Sequence, residues 1–404
     1  MTSDHDSQGY LTRRSFLKLV TAGAVLGATG AWAASKQLAA NVASPQEYPG
    51  TRGLTGTITV QAEDRFRATA ACLLLTPYGE LRSERLLPHP LRVATLAHVE
   101  AYRDHPCSVF LRKHITDGNF GGQFYSLTAW LTPEAPFRWT GSRAEMEAWE
   151  LPPPVKRYLV DDKYPGLLTS FLEDAKLPQL WLDTAEEWDR VCRQCTECLS
   201  RYHVQDWLAS FWGPSPKRLV LAPNPTDPPQ CGFGPSTPRE AFSIVGPPAV
   251  LKDAPQGSPH SSFDYGQGTE FASTTVHEFG HTYLGVARDQ IRALARDTEE
   301  FGRSLQFKGN FADYGEWPMQ LEEAILSATQ GVWQAEEESP AAADNVIAWQ
   351  VGAYNLTLLP PMFQALLEAR KGGKTLGAAT VVQVAGDAIR RLSKTSASQP
   401  GAGR

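Results

Sequence analysis

The run His277-Glu278-Phe279-Gly280-His281 places two imidazoles four residues apart with a carboxylate directly after the first. On a helix, positions i and i+4 share a face, so both imidazoles reach one metal ion. Glu278 lies one position further around the axis, placed to act as a general base toward water at the metal. The flanks are uncharged, with Thr275-Val276 before the run and Thr282-Tyr283-Leu284 after it, as a buried metal-bearing helix requires. Gly280 costs such a helix about 1 kcal/mol relative to alanine, and it lets a neighbouring backbone approach closely.

A catalytic zinc takes three protein ligands and keeps one position for water. No histidine follows His281, so the third ligand comes from upstream or is a carboxylate. Glu316, Glu322 and Glu323 stand on the next strongly helical run, Glu316-Trp-Pro-Met-Gln-Leu-Glu-Glu-Ala-Ile-Leu326. With these two motifs, over roughly residues 241–330, the chain resembles the gluzincins, a metallopeptidase clan with thermolysin-like and aminopeptidase members. In that clan a second helix supplies a ligand Glu, often in a Leu-Asn-Glu context. Setting Leu321-Glu322-Glu323-Ala324 on that context makes Glu323 the third ligand of a Zn2+ ion, with His277 and His281. The spacing from His281 to Glu323 exceeds that of the best-known members and implies an insertion.

The resemblance implies peptide-bond hydrolysis of a peptide or protein substrate, with Glu278 as general base. It also implies an oxyanion donor, for which Tyr314 has the matching position and Tyr354 and His260 compete. Thermolysin-like members carry an Asp four residues past the ligand Glu that orients the first His; here that residue is Ser327. Such enzymes bind substrate backbone along a sheet edge, and 241–245 is the expected edge strand. The competing reading is a zincin-fold metal-binding protein without peptidase activity.

The elements expected to hold this site define an α+β, zincin-like fold: a mixed sheet with helices, then the motif helix, then a mainly helical C-terminal lobe. Residues 55–62 alternate as a strand does, and 68–75 reads as a second, more buried strand. Residues 218–222 and 241–245 complete the strand set. Helices are expected in 90–114, 165–176 and 184–212, the last opened by Thr184 and Glu187 in the form of a capping box. Further helices follow in 315–335, 341–370 with a break at Pro360-Pro361, and 375–392. One domain, 55–392, carries all of this, with a possible subdivision at Pro152-Pro153-Pro154 and a disordered tail, 393–404.

The N-terminus resembles a twin-arginine export signal on Thr12-Arg13-Arg14-Ser15-Phe16-Leu17-Lys18. A weakly hydrophobic stretch follows, with a small-x-small site at Ala31-Trp32-Ala33. Residues 1–33 are therefore expected to be a leader and 34–54 a linker. The resemblance makes the export machinery a partner and the periplasm or the exterior the destination. The apolar stretch is short for a span, and no later one is long enough, so no stable membrane span is expected. Of the 404 residues, 42% are hydrophobic and 20% charged, and the net charge of −6 argues against nucleic acid as a partner.

Cys192, Cys195 and Cys198 invite an iron–sulfur reading, but with Trp188, Val191, Leu199 and Tyr202 they form one helical apolar stripe. Buried core thiols, or one disulfide to another segment, fit that pattern better than a cluster.

Overall fold

The computed structural model describes residues 57–79, 85–115, 121–149, 163–215, 217–258, 260–313 and 316–397. The expected leader, the linker, the Pro152-Pro153-Pro154 breaker and Tyr314 lie outside the described residues. Those residues form an α+β structure dominated by helices, in two compact units. One unit comprises 57–198 and 217–271 in its described part, and the other 199–215 and 272–397.

The first unit contains β1 (Ile58–Val60), α1 (Asp64–Leu73), β2 (Leu86–Leu87), α2 (Pro90–Val99), α3 (Pro106–His114), α4 (Tyr164–Asp174) and α5 (Ala185–Arg201). After these come β3 (Arg218–Pro223), β4 (Gly232–Phe233), β5 (Glu240–Val245) and β6 (Val250–Leu251). The main sheet has the order β1-β3-β5-β4, with β1, β3 and β5 parallel and β4 antiparallel to β5. Strands β3 and β5 are buried along almost their whole length, which is why they read as continuous apolar runs rather than alternating ones. β2 and β6 form a separate two-stranded ribbon.

The strand expected at 68–75 is instead the body of α1. Ala68, Ala70 and Ala71 are strong helix formers. Burial of every residue from Ala68 to Leu73 removes the polar face that would have shown a helical period. The helix expected over 184–212 is two helices, interrupted at His203, whose φ of 44° is left-handed. The Thr184 capping box does not form. Its hydroxyl donates to the Leu180 carbonyl of the preceding turn, and the Glu187 carboxylate is held by Arg190.

In the second unit are α6 (Val204–Trp212), α7 (Glu270–Leu284, from Ala272 onward), α8 (Arg288–Asp297), α9 (Trp317–Glu337), α10 (Pro340–Tyr354), α11 (Leu359–Arg370) and α12 (Gly377–Ala397). Helix α9 is central, packing against α8, α10 and α11. Leu321, Ala324, Ile325, Leu326, Ala328, Val332 and Trp333 are buried along it. Each large apolar side chain contributes about 1.5–3 kcal/mol on burial, whereas exposed ion pairs contribute under about 1 kcal/mol. The apolar face therefore sets the rotation of α9, and Glu322 and Glu323 point where that rotation leaves them.

The expected break at Pro360-Pro361 comes earlier, at Asn355, which has a φ of 57°. Asparagine tolerates that conformation as a helix terminator, and the two prolines sit in the first turn of α11, where a missing N–H costs nothing. Helix α12 continues to Ala397, into the expected tail, on a run of Ser, Lys, Thr and Ala with no Gly or Pro to stop it.

Candidate metal centre

Helix α7 exists because one of its faces is apolar. Ala272, Val276, Phe279 and Tyr283 recur at three- and four-residue steps and are buried. Near its end, the Tyr283 ring stacks on Trp212 of α6, with centroids 5.7 Å apart and planes at 9°. Burial pushes the Tyr283 phenol up to about 12, so it remains a neutral packing group. With that face fixed inward, His277 and His281 emerge together on the neighbouring face, each still partly accessible. Their rings lie 5.3 Å apart at 78°.

Helix α9 is tied to its surroundings within this unit at two points. The Trp317 indole donates to the Thr298 hydroxyl at 3.1 Å, and the Gln330 amide donates to the Ser273 hydroxyl of α7 at 2.7 Å. Between these ties, α9 and α7 approach closely at Gly280. A methyl group there would meet Leu326 Cδ2 at 2.5 Å. The close approach expected at Gly280 is thus filled by a side chain of α9 rather than by backbone.

The result is a convergent donor set. Glu323 Oε2 lies 3.2 Å from His277 Nε2, and Glu323 Oε1 lies 3.5 Å from His281 Nε2. One atom from each residue falls within 4.8 Å of the others, and the three form a group able to hold a metal ion. The donor types, two imidazoles and a carboxylate, suit zinc, and each Glu323 oxygen lies near one of the two Nε2 atoms. Three charge-neutral or anionic N/O donors of this kind leave one tetrahedral position for water or substrate.

Two features lie outside the expected ligand set. The Glu322 carboxylate, one of the competing ligand candidates, meets the other face of the second imidazole, with Oε1 3.1 Å from His281 Nδ1. Its Oε2 is 3.9 Å from Arg288 Nε, at the start of α8. Arg288 is not among the residues expected at the site. Its one signal is position, two helical turns beyond His281, with a 3-10 turn at Gly285–Ala287 between them. Electrostatically, burial alone lowers the His281 imidazole pKa. The Glu323 charge and the Glu322 hydrogen bond and charge outweigh burial, with help from Glu278, and raise it to about 10.

The remaining candidates separate clearly. Glu316 is exposed and serves as the residue before α9, outside the donor group. Glu278 is largely buried on α7, next to His277. Ser327 is buried one turn beyond Glu323. Tyr354 is half-buried, its ring packing at 5.4 Å on Phe311 and 5.5 Å on Trp349. In the first unit, His260 Nδ1 lies 3.2 Å from the Ala249 carbonyl. The strand expected as a free edge, 241–245, is instead interior. β5 pairs with β3 along its length and with β4 at its end, so its backbone groups are committed. The order of strands in a sheet is a long-range property that position in the chain does not disclose.

The three cysteines behave as core. All six cysteines are free thiols; Cys195 and Cys198 are buried on α5 and Cys192 is partly so. Burial raises the Cys192 thiol to about 11 and Cys195 well above the ordinary thiol range, which keeps both protonated. Among the described residues, the metal-capable group is the His277/His281/Glu323 set.

No family model matches the chain, and neither a curated protein nor a solved structure matches it.

Proposed function

We propose that the second unit carries a zinc hydrolase site of zincin type, acting on peptide bonds, with His277, His281 and Glu323 as ligands. The observation that carries this reading is the placement of the Glu323 carboxylate against both Nε2 atoms, beside a base-bearing motif helix. When bound, zinc supplies Lewis acidity, polarising a carbonyl and making water acidic at neutral pH.

The protein's own groups supply the rest. Glu278 follows His277 directly and is shielded from bulk water, which suits a carboxylate that accepts a proton from water and passes it to the departing amine. His281 faces Glu322 through Nδ1 and Glu323 through Nε2, the nitrogen on the side of the metal position. Glu323 adds a negative charge that balances half of a divalent cation. The apolar faces of α7 and α9, with the Gln330–Ser273 hydrogen bond between them, hold these groups in place.

The leader-like segment 1–33 makes export by the twin-arginine route part of the proposal, with action in the periplasm or outside the cell. None of the described helices is long and apolar enough to cross a membrane.

The test pairs metal analysis of purified protein with peptide hydrolysis by the parent and by Glu278→Gln. One zinc per chain in both proteins, with hydrolysis reduced about 10²–10⁴-fold in the variant, supports the proposal. Zinc in both proteins without hydrolysis in either leaves a metal-binding protein with no peptidase activity. Protein that takes up no metal while fully folded refutes the site.

A further inference from the structure

His281 is contacted from both sides by carboxylates of adjacent residues on one helix, and only one of the two can be a ligand. Glu323 faces Nε2 at 3.5 Å and also reaches His277, whereas Glu322 faces Nδ1 at 3.1 Å. An imidazole cannot offer both nitrogens to one ion, so the Glu322 contact must serve the ring rather than the metal. Resting on the metal-site reading above, we propose that Glu322 and Arg288 are positioning residues that fix the orientation and tautomer of His281.

Three observations support the assignment. An ionised carboxylate only accepts hydrogen bonds, so Glu322 holds the proton on Nδ1 and leaves the lone pair on Nε2. The Glu322 side chain is mostly buried, which makes it a poor surface ion pair and a strong orienting partner. Arg288 Nε stands 3.9 Å from Glu322 Oε2, the oxygen that does not face the ring, so the carboxylate is approached from its two oxygens by different partners. An ordinary exposed Arg–Glu pair contributes little and orients nothing; here the carboxylate's nearer partner is the His281 ring. The arrangement also explains how the site manages with Ser327 where the resemblance expects an orienting acid. The orienting acid sits on the second histidine, one residue before the ligand Glu.

The experiment measures zinc affinity by chelator competition and records the absorption spectrum of cobalt-loaded protein. It uses the full chain and its Glu322→Ala, Glu322→Gln, Glu322→Asp and Arg288→Gln variants. Removing an outer carboxylate of this kind weakens metal affinity about 10–100-fold. We expect that loss in Glu322→Ala, with an altered cobalt spectrum reporting changed ligand geometry. Glu322→Gln, which keeps an acceptor for Nδ1, should recover part of it, and Arg288→Gln should lose less than Glu322→Ala. If the alanine variant fails to fold, Glu322→Asp serves instead, since its shorter arm withdraws from the ring while the charge remains. Glu322 variants that bind zinc as the parent does, with an unchanged cobalt spectrum, overturn the proposal while leaving the metal site standing. A folded parent that binds neither metal overturns both.

Discussion

Gly280 offers the sharpest test of how the site is built, because it lies between the two histidines and carries no chemistry of its own. Replacing it with alanine adds one methyl group inside α7. Considered locally, the change stabilises, since alanine gains about 1 kcal/mol over glycine in a helix interior. The tertiary structure opposes it. The new methyl falls 2.5 Å from Leu326 Cδ2, while ordinary contact begins at 3.4 Å. Relief requires opening roughly 1 Å between α7 and α9, and overpacking of this kind costs about 1–3 kcal/mol. Leu326 is almost wholly buried, so its side chain has little room to rotate away. It also lies one turn from Glu323, and its displacement carries that turn with it.

The net change in stability should therefore be small, from about 0 to 2 kcal/mol of loss, while the site suffers far more. Metal–ligand distances tolerate about 0.2 Å, and a misplacement of about 1 Å at a reacting centre costs on the order of 10²-fold in rate. Thermal melts, zinc affinity and peptide hydrolysis should be measured for Gly280→Ala, Leu326→Ala and the pair. The double variant should regain affinity, because removing Leu326 Cδ2 makes room for the methyl, and the stability coupling should fall in the range of about 0.5–3 kcal/mol. A Gly280→Ala protein that binds zinc and hydrolyses peptide as the parent does, with no coupling to Leu326, would refute the claim that this contact sets the position of Glu323.

Two pH effects follow from the shifted groups. His281 in the metal-free protein holds its second proton up to a pH of about 10, and a ligand nitrogen must be bare. Zinc loading at pH 7.5 should therefore release the His281 proton, and apparent affinity should rise with pH. Titration calorimetry in buffers of different protonation enthalpy checks this, and heats independent of buffer would contradict it. In the first unit, His89 is fully buried, accepts the Leu91 N–H at 3.1 Å, and is lowered to about 4 chiefly by burial. The folded state then binds fewer protons than the unfolded between pH 6.5 and 4, so stability is lost as pH falls through that window, by about 3 kcal/mol in all. His89→Asn keeps a capping acceptor and should flatten that part of the stability–pH curve; an unchanged curve would dismiss the account.

The sequence made the motif helix and the Glu323 helix legible for the same reason: both are long, amphipathic on one side, and free of Gly or Pro clusters. Glu323 is distinguished from Glu316 by the resemblance alone, through the clan's Leu-Asn-Glu context, and its two oxygens lie near the two Nε2 atoms. The failures have separate physical causes. Helix α1 read as a strand because burial on all sides erases periodicity. The interior place of strand β5 is not legible in the chain, because sheet order depends on contacts between distant segments. The role of Glu322 was hidden because adjacent helix residues project about 100° apart. Sequence alone does not say which of the two faces the metal and which reaches the ring's far nitrogen.

That division of labour between neighbouring carboxylates bears on how a cation would be taken up. Glu323, Glu322 and Glu278 all act electrostatically on His281, an imidazole that burial alone would keep neutral. Protonation of His281, raised to about 10, answers part of their negative charge. A divalent cation replaces the proton and satisfies the same carboxylates with a larger charge at shorter range. In such a site Glu322 has two consecutive duties: it stabilises the protonated ring before loading, and it holds the ring's lone pair on the metal side afterwards.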